Sequence, residues 1–124
     1  MKNRWIVATL LVALPAGAAQ AMKVDQFLQK ADALQQKGMM ALFSSDYKLL
    51  KGEVEAGAAA LRQERLAAKA AGRPQAYCPG DSAPGLNSNE ILKAFRTIPS
   101  AQRSRVEVKD ALRALLARKY PCRR

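Results

Sequence analysis

The sequence contains no histidine and only two cysteines among its 124 residues. The lack of histidine excludes Ser-His and Cys-His catalysis, histidine general bases and most zinc sites. Cys78 and Cys122 form no C-x-x-C motif, which argues against a thioredoxin-like redox site and a cysteine-only metal site. The carboxylates are scattered, and no phosphate-binding glycine loop or EF-hand pattern is present. We therefore predict a protein that is not an enzyme and has no catalytic residue, metal or cofactor. A carboxylate pair built from distant residues is the enzymatic alternative.

The first 21 residues have the pattern of a secretory signal peptide. Lys2 and Arg4 precede an apolar run at 5–14, and small residues follow up to Ala-Gln-Ala at 19–21. The run is shorter than the about 20 residues that a membrane-spanning helix needs. We predict cleavage after Ala21, export to the periplasm and one domain at 22–124. An uncleaved anchor or a buried N-terminal helix is the alternative.

The two cysteines are predicted to pair. Export implies an oxidising compartment, in which two cysteines tend to form a disulfide. Cys78 and Cys122 would close a loop of 44 residues (122 − 78). The chain-entropy model gives such a loop about 4 kcal/mol of stabilisation. Two free thiols are the alternative, and they would require a reducing compartment.

Apolar residues recur with the helical period in four segments, and no segment alternates as a strand does. The first helix is predicted to carry Val24 to Leu34 and to stop at Gly38. A long helix from Asp46 to about Ala71 follows a cap at Ser44 or Ser45. Between these two helices the apolar sequence MMALF at 39–43 predicts a buried turn. Glycines within the long helix favour close approach of another helix.

The second half of the chain begins with a Pro/Gly-rich loop at 72–86. Asn87 with Glu90 forms a capping box for a third helix, which ends before Pro99. Ser104 with Glu107 predicts the start of a fourth. The expected fold class is all-α, a small bundle of about four helices with one disulfide.

Basic residues outnumber acidic ones, 21 to 10. Loss of Lys2 and Arg4 with the leader leaves 19 basic residues beside all 10 acidic ones, a net charge of +9. Six basic residues fall within an arc of about 100° on the long helix, and we call them the basic arc: Lys48, Lys51, Arg62, Arg65, Lys69 and Arg73. The arc is a candidate surface for an acidic protein, an anionic lipid surface or a cell-wall polymer. A merely solvated face is the simpler interpretation.

Three segments together resemble one family: AYCPG at 76–80, SNEILKAFRTIPSAQR at 88–103 and VKDALRALLARKYPC at 108–122. They are similar to the C-terminal half of the Rap/Tai family of small exported helical proteins. The shared features are a Cys-Pro loop, a helix ending near a proline and a final helix ending in aromatic-Pro-Cys. The resemblance implies an immunity role, in which the periplasmic protein binds and blocks a peptidoglycan amidase delivered by type VI secretion. Tyr77 and Asp81 are candidate partner contacts in the loop.

Two functions of different classes are therefore predicted. The first is a partner-binding protein of the immunity type, neither membrane-spanning nor bound physiologically to nucleic acid. The alternative is an envelope housekeeping protein, either a holdase-like acid-stress chaperone or a protein on anionic envelope surfaces. Without histidine, only the 10 carboxylates could respond to acid, near pH 4. The oligomeric state stays open.

Overall fold

The computed structural model describes residues 21–123, so the predicted signal peptide lies outside the described residues except for Ala21. Four α-helices follow in the order α1 (Val24–Gln36), α2 (Ser45–Ala70), α3 (Ser88–Thr97) and α4 (Val108–Lys119). Short 3-10 helices lie at Gly38–Phe43 and Ser100–Gln102. The described part of the chain has no β-strand and a single isolated bridge. The predicted all-α bundle with one disulfide is confirmed.

Several helix ends follow the predicted capping chemistry. Ser44 caps α2, because its hydroxyl accepts a hydrogen bond from the backbone N–H of Asp46 at 3.3 Å. At the start of α3, the Asn87 side chain accepts from the N–H of Glu90, and the Glu90 carboxylate accepts from that of Asn87, both at 2.9 Å. After α1, Gly38 takes a φ of 57°. That left-handed conformation suits glycine and ends the helical path.

The predicted capping box of Ser104 with Glu107 is wrong, because α4 begins only at Val108. The residues before α4 pair instead with the N-terminal end of the described chain. The N–H of Val24 donates to the carbonyl of Val106 at 2.9 Å, and that of Val108 donates to the carbonyl of Met22 at 3.0 Å. This antiparallel contact needs extended backbone, which excludes an earlier start of the helix.

One hydrophobic core lies between the four helices, and α2 is the longest helix that packs against it. The most buried side chains of this core include Val24, Phe27, Leu28, Leu61, Ile91, Phe95, Val108 and Leu112, each with at most a few per cent of its surface exposed. The rings of Phe27 and Phe95 meet edge to face, with centroids 5.1 Å apart. This contact joins α1 to α3 at the centre of the bundle.

The C-terminal end of the chain is fastened to the Pro/Gly-rich loop. Cys78 and Cys122 form the predicted disulfide, with Cα atoms 4.9 Å apart. Beside it the N–H of Cys78 donates to the carbonyl of Tyr120 at 2.8 Å. The Tyr120 hydroxyl donates to the carbonyl of Pro84, and the Lys119 ammonium donates to that of Gly85 at 3.3 Å. The loop, which has no helix or strand of its own, is therefore held mainly by the end of α4 and the residues after it.

Gly57 lies where α2 meets α4. A Cβ atom at this position would lie 3.0 Å from Cδ1 of Leu112, whose side chain is completely buried. The glycine therefore allows the close approach of the two helices that the sequence favours. Gly52, one and a half turns earlier on α2, has no atom within 4 Å of the same added atom.

We expect Gly57→Ala to destabilise the protein and Gly52→Ala to stabilise it. Both changes gain about 1 kcal/mol of helix propensity. At Gly57 the gain is outweighed, because crowding a packed core costs about 1–3 kcal/mol. Thermal unfolding of the two variants measures the difference. Equal stabilisation by both alanines would contradict the tight contact between α2 and α4.

Candidate binding surface

The segment at 39–43 is the largest departure from the sequence prediction. It forms a 3-10 helix without a buried residue, so the predicted buried turn is wrong. Four of its side chains are exposed, by 80% for Met39, 68% for Met40, 51% for Leu42 and 81% for Phe43. We call these four residues the apolar tip. The segment connects α1 to α2 and makes its main contacts with those two helices.

An apolar groove of about 520 Å³ opens beside the apolar tip. Its walls come from α1, the 3-10 helix at Gly38–Phe43, α2, the end of the Pro/Gly-rich loop and α3. They include Phe27, Leu34, Leu42, Tyr47, Leu50, Val54, Leu86 and Leu92. Lys51 and Glu55 are the charged residues of the lining. Leu42 belongs to both features, so the apolar tip and the groove form one continuous surface. A concave apolar site of this size with few polar groups is typical of binding sites.

The structure places most of the basic arc on the exposed side of α2. Lys48, Lys51, Arg62 and Lys69 are exposed on the helix, and Arg73 is exposed just beyond its end. Lys51 pairs with Glu55 at 3.8 Å, one helical turn away. Within residues 21–123 the other four make no ion pair. Five members of the predicted arc thus share an accessible basic surface.

Arg65, the sixth member of the basic arc, is only partly exposed. Its guanidinium carbon lies 5.4 Å from the centre of the Tyr77 ring, a distance typical of cation–π contacts. Tyr77 is 5% exposed and belongs to the core, where a partner cannot reach it. Of the two predicted loop contacts, only Asp81 is exposed. Arg65 therefore fastens the loop to α2.

Four of the 10 acidic residues hold helices together. Glu64 on α2 binds Lys109 and Arg113 on α4, and the Arg113 contact measures 3.1 Å. Glu90 on α3 binds Lys119 on α4 at 2.7 Å. Further pairs join α1 to its neighbours: Asp32 with Arg96 at 2.9 Å and Lys30 with Asp46 at 3.1 Å. The pairs leave an excess of positive charge on the outer side of α2.

The pKa values of two of these carboxyls, Glu64 and Glu90, are lowered by their hydrogen bonds. Hydrogen bonds from Lys109 and Arg113 lower the pKa of Glu64. A hydrogen bond from Lys119, with a second from the backbone of Asn87, lowers the pKa of Glu90. A carboxyl whose pKa is lower in the folded state stabilises that state above its unfolded pKa, about 4.3 for glutamate. That stabilisation is lost as the pH falls through the folded pKa.

We expect the melting temperature to change little between pH 8 and 5 and to fall below about pH 4.3. Glu64→Gln should make the acid-induced fall shallower. Glu53→Gln, at a residue of α2 without an ion pair in the described part of the chain, is the control. Melting curves across this pH range test the expectation. Equal slopes for wild type and Glu64→Gln would contradict it.

The apolar tip could not be found from the usual reading of apolar residues, which places them in the core. The one signal in the sequence is the run of apolar residues directly after Gly38, in a short connection between two helices.

Comparison with protein-family models, curated proteins and solved structures finds no match to this chain. Among residues 21–123, no helix is both long and apolar enough to cross a membrane, and no three potential metal ligands cluster.

Proposed function

We propose that the chain is an exported, non-enzymatic protein that binds a partner protein through the apolar tip and the groove. The observation that carries this proposal is the exposure of Met39, Met40, Leu42 and Phe43 beside an apolar groove. Contiguous exposed apolar surface is uncommon on monomeric proteins and marks interaction sites. Aromatic and Met side chains are also enriched in interfaces. A partner would bury this surface and remove it from water.

The specific role that we propose is immunity of the Rap/Tai type. The segments at 76–80, 88–103 and 108–122 resemble that family, whose characterised members bind and block a peptidoglycan amidase. The disulfide between Cys78 and Cys122 suits an oxidising compartment such as the periplasm. The apolar tip supports the partner-binding part of the role, and the resemblance supports the choice of an amidase.

One observation favours the alternative, a housekeeping role at an anionic envelope surface. No acidic residue lies between Asp32 and Asp46, and the exposed side chains of Lys37 and Lys48 flank the apolar tip in sequence. Apolar side chains beside lysines can bind the interface of an anionic membrane. The concave groove distinguishes the two roles, since a flat lipid surface would leave it unfilled.

Inhibition of a type VI peptidoglycan amidase tests the immunity role. We expect the oxidised protein to block release of cell-wall fragments at a one-to-one ratio. The double variant Leu42→Ser/Phe43→Ser should bind at least about tenfold more weakly, because it removes the exposed apolar anchors. Leu49→Ser is the control, since Leu49 is 44% exposed and lines a different cavity, between α1 and α2.

The outcomes separate the parts of the proposal. Wild-type inhibition by the double variant would contradict a binding site at the apolar tip. An amidase that is neither bound nor inhibited would contradict the immunity role.

A further inference from the structure

We propose that the partner segment is an acidic amphipathic helix that lies along α2. Its apolar end occupies the groove beside the apolar tip, and its carboxylates face the exposed members of the basic arc. This inference rests on the proposed partner-binding function and adds the chemistry of the partner.

The groove and the basic arc lie on one flank of α2. At 100° per residue, Lys51, Arg62 and Lys69 project within about 20° of one another. Tyr47 and Val54, which line the groove, lie within about 80° of the same direction. Lys51 belongs to both features, because it lines the groove and is a member of the arc. One partner segment can therefore contact both without turning around the helix.

The two parts of this flank follow one another along the helix axis. The groove is lined by α2 residues from Tyr47 to Glu55, and the basic arc continues to Lys69 near the end of the helix. At 1.5 Å per residue the distance from Tyr47 to Lys69 is about 33 Å. A partner helix of about 20 residues spans this length. An amphipathic helix in an apolar groove is an established mode of peptide recognition.

Charge complementarity makes the partner acidic. Lys48, Arg62 and Lys69 are exposed and have no ion-pair partner within residues 21–123. The pair of Lys51 with Glu55 is solvated, with side chains 60% and 66% exposed, so it competes weakly with a partner. Carboxylates of the partner would gain several attractive contacts and meet one exposed acidic residue, Glu55.

The same charge argues against a second copy of this chain as the occupant. Two copies would bring the same excess of basic residues together, and like charges across an interface are unfavourable. An exposed apolar side chain also lies in the basic part of the flank, because Leu66, between Arg62 and Lys69 in sequence, is 40% exposed. The favoured partner helix therefore carries carboxylates and keeps at least one apolar residue beyond the groove.

The experiment uses a fluorescein-labelled synthetic helix of about 20 residues as the probe. Leucines at i, i+3, i+4 and i+7 fill one half, and glutamates with the same spacing fill the other, together with one leucine placed to meet Leu66. A second peptide has glutamine at every glutamate position. Fluorescence anisotropy with the oxidised protein gives the dissociation constants at 0.1 M and 1 M NaCl. The Debye length falls between these conditions from about 10 Å to about 3 Å.

Three protein variants separate the contributions. Arg62→Gln/Lys69→Gln removes two charges from the basic arc. Arg105→Gln/Arg118→Gln removes two exposed charges elsewhere and is the matched control. Leu42→Ser/Phe43→Ser removes apolar contacts of the tip. The four basic positions, Arg62, Lys69, Arg105 and Arg118, carry the same formal charge. Circular dichroism verifies the helix content of each variant.

We expect the basic-arc variant to weaken binding of the glutamate peptide about tenfold at 0.1 M NaCl and about twofold at 1 M. The matched control should stay within about twofold of wild type. The apolar-tip variant should weaken binding about tenfold at both salt concentrations. The glutamine peptide should bind wild type at least as weakly as the glutamate peptide binds the basic-arc variant, because it loses its attraction to every member of the arc.

Failure of the inference and failure of the proposed function give different results. If both peptides bind wild type equally and only the apolar-tip variant binds them more weakly, the proposal of an acidic partner is wrong. The proposed binding surface then stands. If the apolar-tip variant binds as wild type does, the proposed surface is wrong as well. A third result is that wild type binds neither peptide but binds vesicles that contain anionic lipid, and that the apolar-tip variant loses this binding. This result would contradict a protein partner and indicate a membrane surface.

Discussion

Phe95→Ala is expected to lower the free energy of unfolding by about 3–5 kcal/mol, the range for deleting a buried aromatic side chain. Phe95 has no exposed surface and meets the ring of Phe27 edge to face at 5.1 Å. The truncation would remove this contact between α1 and α3 and leave a cavity that the surrounding helices can only partly close. Urea unfolding monitored by circular dichroism measures the loss.

Phe43→Ala is the matched control, because it makes the same chemical change on the apolar tip. Phe43 is 81% exposed, so its truncation should change the free energy of unfolding by no more than about 0.5 kcal/mol. A large loss for Phe43→Ala would mean that the tip is packed against the bundle. A small loss for Phe95→Ala would place the centre of the core elsewhere.

Cys122→Ser is expected to lower the free energy of unfolding by about 4 kcal/mol, the chain-entropy value for a loop of this size. The disulfide to Cys78 closes a sequence separation of 44 residues. Cys122 is exposed near the end of the described chain, so the substitution leaves no buried cavity. The loss would come mainly from the freedom that the unfolded chain regains. Denaturant unfolding of the oxidised wild type and of the monomeric variant measures it.

The double variant Cys78→Ser/Cys122→Ser is the control for this disulfide prediction. It removes the same single bond, so its loss should equal that of Cys122→Ser and not twice as much. In Cys122→Ser, hydrogen exchange at the N–H of Cys78 should also become faster, because its bond to the carbonyl of Tyr120 depends on the fastened chain end. An unchanged unfolding midpoint in both variants would contradict the role of the disulfide.

The helices and most of their ends could be predicted from the sequence, because their determinants are local. Ser44, Asn87 and Glu90 bond to backbone groups within three residues of themselves. The start of α4 could not, because Val106 bonds to Val24, far away in the chain. A capping pattern at Ser104 and Glu107 gave the wrong start because it carries no information on that long-range pairing.

The candidate site was predictable only in part, for a similar reason. The helical period places Lys48, Arg62 and Lys69 on one side of α2 whatever surrounds the helix. Whether Arg65 points to solvent depends on Tyr77, which the loop brings beneath its guanidinium. The apolar tip depends on which elements cover the connection between α1 and α2, and that is a property of the whole bundle.

The most direct test of the proposed binding surface is an affinity pull-down from the producing cell's envelope, with washes at rising salt. Wild type and the double variant Leu42→Ser/Phe43→Ser serve as paired baits, and Leu49→Ser is the control. We predict one stoichiometric partner that wild type and Leu49→Ser retain at high salt and the double variant loses. Equal recovery by all three baits, or only anionic material lost at moderate salt, would contradict partner binding at the apolar tip.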